Sequence, residues 1–331
     1  MMNAPQAFAP VKRAIENGRI PGGVVGIVDA QGNRAVEVFG KAQTIPIERP
    51  MTRETWFDLA SLTKVIFTTT RILEAAERGD IDLDAPLTTA LPDFRQYTPD
   101  AWERKVTFRQ CLGHLTPFPA VEPIYTYGRD PDLLRAFVLQ REWRTGPAVY
   151  SDINFILLGL ALERLNRVRR IRDLDPGKGF AWSAPTDESA ATEDCTWRHE
   201  VLSGTVHDDN CHALEGSGHA GLFGTIDSIL DFAHGLLTGT NASEHTIALI
   251  RTQLSDKRTH GWERPYIGWP GGDNAHPETI GHTGFTGTGL WIDFANGRAW
   301  SLLTNRIHPT RHSDSGIAQL RRAVGDIINA A

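Results

Sequence analysis

Ser61-Leu62-Thr63-Lys64 sets a hydroxyl and an amine one helical turn apart, at the front of an apolar-striped segment running from Phe57 to Gly79. Positions i and i+3 share a helix face, so Lys64 can come within hydrogen-bond reach of the Ser61 hydroxyl. That pairing is the minimum equipment for a nucleophile and its proton partner. A lysine near its reference pKa of about 10.4 is protonated at neutral pH, and serving as a base requires burial or cationic neighbours. Helix onset at Ser61 would also set backbone N–H groups and the positive end of the helix dipole beside the nucleophile, where an oxyanion formed on attack is stabilised. By itself the quartet equally describes an N-cap serine followed by a solvated lysine.

Two further stretches carry residues of the right kind. Tyr150-Ser151-Asp152 follows the loop-forming triplet Thr145-Gly146-Pro147 and precedes an apolar helix from Ile153. A tyrosine at a loop mouth beside a lysine can exist partly as phenolate or relay protons, because the ammonium stabilises the anion; taken alone it is also an ordinary half-buried tyrosine. Gly281-His282-Thr283-Gly284-Phe285-Thr286-Gly287-Thr288-Gly289 crowds glycines around one histidine and three threonines. Its backbone must come close to something, a ligand or a neighbouring strand. A sheet edge bearing His282 and Thr283 could hold an extended substrate by main-chain hydrogen bonds. His207-Asp208-Asp209-Asn210 and His212 invite comparison with metal ligands, but no matching Cys or His pair accompanies them and no metal site is expected.

The elements that must position these residues are legible in outline. With 331 residues, 40% hydrophobic and 22% charged, the chain is globular and long enough for two packed layers or two domains. Its net charge of -6 argues against nucleic acid as a partner, and the basic run from Arg164 to Arg172 reads as a solvated helix end. Met1-Met2-Asn3-Ala4-Pro5 lacks the basic and apolar regions of a secretory signal, so the expected location is the cytoplasm as the sequence stands, and the periplasm or exterior if a leader was trimmed. The longest apolar run, Phe155 to Leu162, is far short of a membrane span. Cys111, Cys195 and Cys211 are too scattered for a disulfide framework and read as buried small apolar residues.

Gly23 to Asp29 and Arg34 to Gly40, joined by Gln31-Gly32-Asn33, predict an N-terminal hairpin preceded by a helix carrying Phe8, Val11 and Ile15. Leu290 to Phe294 and Ala299 to Leu303 flank Asn296-Gly297 and predict a second hairpin, followed by a helix over Ser315 to Ala330. Helical patterns fill the middle, among them Asp130 to Gln140, Asp152 to Leu165 and Thr225 to Leu237. The expected fold is therefore α+β: an antiparallel β-sheet built from both ends of the chain (1–71 and 226–331), flanked by helices, with a mainly helical domain (72–225) inserted.

In this order the three stretches resemble the S-x-x-K, Y-x-N and K-T-G motifs of the serine β-lactamase and penicillin-binding protein superfamily, and the tyrosine points to the class C branch with its related esterases and D,D-peptidases. Ile20-Pro21-Gly22-Gly23-Val24, Phe57-Asp58-Leu59-Ala60, Gly218-His219-Ala220-Gly221-Leu222-Phe223 and Thr304-Asn305-Arg306 resemble that branch as well, so the likeness covers nearly the whole chain. It implies that Ser61 is the acylated nucleophile, Lys64 its proton partner and Tyr150 the general base or the shuttle to the leaving group. The backbone N–H groups of Ser61 and Phe285 would form the oxyanion hole. Asp152, His282, Thr283 and Gly284 would contact substrate, no cofactor is expected, and the partner is a small-molecule or short-peptide substrate.

Two residues depart from the pattern. Asp152 replaces an asparagine, and an ionised carboxylate only accepts where an amide would donate; it should disfavour β-lactam acylation and favour an ion pair with Lys64. His282 replaces a lysine and, with a reference pKa near 6.5, would be a weaker, pH-dependent anion anchor. The expected function is a serine hydrolase working through an acyl-enzyme on a carboxylic ester or a D-Ala-D-Ala or D-amino-acid amide, with weak or no β-lactamase activity. The alternatives are a β-lactamase proper, a non-catalytic homologue that binds a peptide or cell-wall fragment, and a metallohydrolase using the His207 region.

Overall fold

Gly22–Asp29 reads Gly-Gly-Val-Val-Gly-Ile-Val-Asp, and every residue of it but the last is buried; such a continuous apolar run belongs inside a sheet. The computed structural model, which describes residues 4–330, places it there. The main sheet comprises β1 (Gly22–Asp29), β2 (Arg34–Gln43), β3 (Arg49–Pro50), β4 (Thr279–Thr283), β5 (Gly289–Asp293) and β6 (Arg298–Thr304) in the order β3-β2-β1-β6-β5-β4. All its pairs are antiparallel, with β1 joined to β6 through Val24↔Leu303 and Val25↔Leu302. The two hairpins expected from the sequence thus meet side by side.

Alternation along β1 sorts the core into two faces. Val25 and Ile27 pack with Trp291, Trp300 and Leu302 beneath the terminal helices Ala4–Glu16 and Ile317–Asn329, which contribute Phe8, Val11, Leu320, Val324 and Ile328. Trp291 and Trp300 stack there with centroids 3.9 Å apart. Val24 and Val28 face the other way, into a cluster that continues through Ile226, Ile229 and Leu230 into the helices of the middle region. A Cβ on Gly26 would lie 2.7 Å from Ile226, so glycine is what lets the helix Ile226–Thr238 lie this close to the sheet. The helix Asp152–Leu165 is buried without interruption from Ile153 to Glu163. A helix apolar all round sits at the centre of its layer, and its N-terminus carries Asp152 towards Lys64.

Phe57–Asp58 forms a short strand against Phe223–Gly224, which also pairs with Phe180–Ala181. The apolar-striped segment is therefore not helical from Phe57: it leaves a strand, turns at Ala60 and Ser61, and becomes helical only from Leu62, with a π-helical stretch over Lys64–Thr69 before the α-helix Thr70–Glu77. Cys111, Cys195 and Cys211 are buried and free. Among the described residues no helix is long and apolar enough to cross a membrane.

Candidate active site

The turn that presents Ser61 is tight and over-determined. Ala60 has φ of 47°, in the left-handed region, which costs a non-glycine residue roughly 1 kcal/mol and persists only where surrounding contacts enforce it. Those contacts are local: the buried Asp58 carboxylate accepts the Ala60 N–H at 2.8 Å, and Thr63 and Lys64 N–H groups donate to the Ala60 and Ser61 carbonyls at 3.0 and 3.1 Å. Ser61 emerges half-buried, one residue before the helix.

Lys64 is fully buried and does not point to solvent. Its Nζ donates to Ser61 Oγ at 2.9 Å and to the His219 carbonyl at 3.0 Å, and pairs with Asp152 Oδ1 at 2.8 Å. Burial alone would push the lysine pKa down and is the largest influence. The charge of Asp152, then that of Tyr150, outweighs it, and the net direction is upward. Lys64 is therefore an ammonium at neutral pH, and the ion pair expected between it and Asp152 is formed. Tyr150, half-buried, has its ring centroid 5.1 Å from Lys64 Nζ. Burial of the hydroxyl raises its pKa; Lys64 and hydrogen bonding to Lys64 and Ser61 pull it down, Asp152 pushes it up, and the result lies above the ordinary phenol value. The sequence left open a standing phenolate, and the half-buried Asp152 carboxylate is one reason the phenol keeps its proton.

The loop carrying Tyr150 is fastened by its neighbours. Ser151 N–H donates to His114 Nδ1 at 3.1 Å, Ser151 Oγ to the Pro119 carbonyl at 2.6 Å, and Asp152 N–H to the Ala120 carbonyl at 3.0 Å.

The third motif folds as a turn from Gly284 to Thr288 at the end of β4, laid against the segment that leads into Ser61. Thr286 Oγ1 donates to the Asp58 carbonyl at 2.7 Å and Thr288 Oγ1 to the Leu59 carbonyl at 3.1 Å. A Cβ on Gly284 would lie 2.1 Å from Thr288 Oγ1 and 2.6 Å from the Leu59 carbonyl, so only glycine permits this approach. Among the described residues neither the Ser61 nor the Phe285 N–H has a hydrogen-bond acceptor. Thr283 is half-buried, while the Phe285 ring is exposed and stacks on His207 with centroids 5.7 Å apart.

His282 departs from its expected chemistry. It is buried, its Nδ1 bonds to the Thr283 carbonyl at 3.0 Å and its Nε2 has no partner. Burial first, then the charges of Arg258, Lys64 and Arg321, hold its pKa well below the usual histidine value. The imidazole is neutral throughout the physiological range and is not a pH-dependent cation.

The geometry is that of an acyl-transfer site, and comparison with known proteins agrees: the Beta-lactamase family matches residues 9–324. The chain belongs to the Beta-lactamase family. It is 28% identical to the N-acetylmuramyl-L-alanine amidase of Bacillus subtilis (strain 168) over 79% of this chain and 71% of the relative. It is 26% identical to an Escherichia coli (strain K12) protein named as a D-alanyl-D-alanine carboxypeptidase, over 80% and 73%. In fold it is similar to a class C beta lactamase from Rhodobacter sphaeroides, with a TM-score of 0.71 at 22% identity and 96% of each chain covered.

Within this Beta-lactamase-family site, three residues escaped the sequence reading. His114 lies against Tyr150 with ring centroids 4.5 Å apart and has φ of 51°. Arg258 stacks its guanidinium 5.0 Å from the Tyr150 centroid; its Nη2 pairs with Glu263 at 3.0 Å and its buried Nη1 has no partner. Arg321 reaches the Gly284–Thr288 turn from the C-terminal helix. Only Arg321 left a signal: it falls on the apolar stripe of Ile317, Leu320, Val324 and Ile328, where a charge has no ordinary place. His207 bonds Glu193 Oε2 at 2.9 Å, and His219 bridges Asp208 and Ser217 while its carbonyl receives Lys64. Both border the site, His219 through its carbonyl on Lys64 and His207 through its ring against Phe285. Among the described residues no cluster of three or more His, Cys, Asp or Glu side chains could hold a metal ion.

Proposed function

We propose that this hydrolase of the Beta-lactamase family forms an acyl-enzyme on Ser61 from a carboxylic ester or a D-amino-acid amide, D-Ala-D-Ala-type peptides included. The observation that carries the reading is the buried Lys64 ammonium held simultaneously on Ser61 Oγ and Asp152, with Tyr150 alongside. With both Lys64 and Tyr150 protonated at rest, the protonation states favour a shuttle over a stored base. In acylation the Ser61 Oγ–H proton passes to the Tyr150 oxygen as Tyr150 gives its own proton to the leaving group. The Oγ–C bond forms, the carbonyl electron pair moves to oxygen and returns as the bond to the leaving group breaks. Water reverses the path in deacylation. Lys64 lowers the energy of negative charge on either oxygen without changing its own protonation.

The oxyanion itself is assigned to the Ser61 and Phe285 N–H groups, both without other acceptors. Thr283 at the end of the β4 edge is assigned to the substrate main chain; Gly284, whose N–H is held by the Thr288 carbonyl and whose carbonyl is held by Arg321, lets the turn approach and binds no substrate itself. The cation that acts most strongly on neutral His282 is Arg258, whose Nη2 is held by Glu263 and whose Nη1 has no partner; that Nη1 is assigned to a substrate tail carrying a carboxylate, as a terminal D-alanine does. The named activity of the D-alanyl-D-alanine carboxypeptidase relatives points the same way. Asp152, an acceptor only, is the feature that sets β-lactams apart as poor substrates.

A fluorophosphonate probe tests the nucleophile: wild type is expected to label and Ser61→Ala not to, whereas an unlabelled wild type overturns the reading in favour of a binding protein. A panel of p-nitrophenyl esters, D-Ala-D-Ala peptides, D-amino-acid amides and nitrocefin then ranks the substrates, with nitrocefin expected last.

A further inference from the structure

Arg321 is a buried guanidinium with no carboxylate within ion-pair distance among the described residues. A buried charge without a counter-ion is costly, and a long side chain on a C-terminal helix could have been any of several apolar residues. Its one nitrogen Nη2 donates to two carbonyls, that of Gly284 at 2.8 Å and that of Thr288 at 2.7 Å. These are the two ends of the turn, which is also closed by Gly284 N–H to the Thr288 carbonyl at 2.9 Å. The Gly284 carbonyl belongs to the same peptide group as the Phe285 N–H. In a planar trans peptide the C=O and N–H point in opposite directions, so a cation fixed on the carbonyl side turns the N–H away from itself and draws electron density from it. Arg306 Nε holds the next carbonyl, that of Phe285, at 2.8 Å, which leaves the Phe285 peptide unit little freedom to rotate.

We propose that Arg321 is a positioning residue for the oxyanion hole: it orients and polarises the Gly284–Phe285 peptide so that its N–H is a stronger donor to the charge that develops on the substrate oxygen. The inference rests on Ser61 acylation as proposed above. Preorganised donors of this kind act only on the charged, tetrahedral species, so the effect belongs in kcat and not in substrate binding. Burial, and next the charge of Arg306, brings the Arg321 pKa down to about 9, with the charge of Glu263 offsetting only part of it, in keeping with a cation that has no carboxylate in contact.

The test is Arg321→Met beside Arg321→Lys, with p-nitrophenyl ester turnover and inhibition by phenylboronic acid, which forms a tetrahedral anion on a serine oxygen. Arg321→Met is expected to lower kcat about 10- to 100-fold with KM nearly unchanged, to weaken boronate affinity by the same factor, and to be partly rescued by Arg321→Lys. Unchanged kcat and boronate affinity in a protein that still labels at Ser61 overturns the inference; absence of labelling in wild type overturns the acyl-enzyme reading instead. Should Arg321→Met not fold, the infrared carbonyl band of the acyl-enzyme decides: in Arg321→Lys it is expected at higher frequency than in wild type, and an unmoved band overturns the assignment.

Discussion

The first-motif helix and the C-terminal helix each bury a cation at the candidate site, Lys64 on the Ser61 hydroxyl and Arg321 on the Gly284–Thr288 turn, yet the two are treated in opposite ways. Lys64 has Asp152 at 2.8 Å and its pKa is raised, whereas Arg321 has carbonyls and no carboxylate in contact, and its pKa falls to about 9. Paired, the lysine and carboxylate form a locally neutral unit that keeps its protons while Ser61 and Tyr150 exchange theirs. Without a carboxylate in contact, the guanidinium directs its field onto the two carbonyls that end the turn. The lesson is that burial does not set the role of a charge; the nature of its neighbours does.

The largest expected effect comes from breaking the paired side. Lys64→Met removes the cation and leaves Asp152 unpaired against Tyr150, and kcat/KM for an ester is expected to drop about 1,000-fold; a loss under tenfold, read from steady-state kinetics, would mean that Lys64 does not stabilise the charge that develops on Ser61 and Tyr150. Next is Arg258→Met, expected to raise KM for a D-Ala-D-Ala peptide about tenfold, the scale of one charge-assisted contact, and to leave KM for a neutral p-nitrophenyl ester where it was. Equal shifts for both substrates would detach Arg258 from the carboxylate.

Asp152→Asn sharpens the comparison by making Lys64 resemble Arg321. Asp152 raises the Lys64 pKa, and the ammonium is the working form, so activity is present below that pKa and lost above it. Removing the carboxylate lowers the pKa and is expected to move the alkaline limb of kcat to lower pH. The rate of acylation by penicillins is expected to rise several-fold, since an amide can donate where Asp152 cannot; an unmoved limb together with an unchanged penicillin rate would divorce Asp152 from both roles. The smallest effect concerns His282. With its imidazole neutral, KM for an anionic substrate is expected to stay flat from about pH 5.5 to about pH 7.5, a window centred on the ordinary histidine pKa. A rise across that window would restore the cationic anchor.

Much of this architecture was readable beforehand. The β-branched run of β1 and the Asn296-Gly297 turn located the sheet, and the spacing of Ser61 and Lys64 put them on one helical face because i and i+3 always meet there. Asp152 at a helix start, aimed at Lys64, followed from the motif order. The strand at Phe57 and the strained Ala60 were not readable, because a two-residue strand has no periodicity and alanine as a residue type gives no sign of a left-handed backbone. Arg258 and His114 were equally silent, lying in irregular segments that pattern alone cannot place.

Residue types and spacing therefore determined by themselves which groups could react, which two hairpins would form and which family the chain resembles, since all of these follow from local geometry and chain order. Tertiary structure alone decided the protonation states: an ammonium at Lys64, a phenol at Tyr150, a neutral imidazole at His282. Each depends on charges brought within a few ångströms from positions tens to hundreds of residues away, and in a buried site those distances, not the intrinsic pKa values, govern which form is stable.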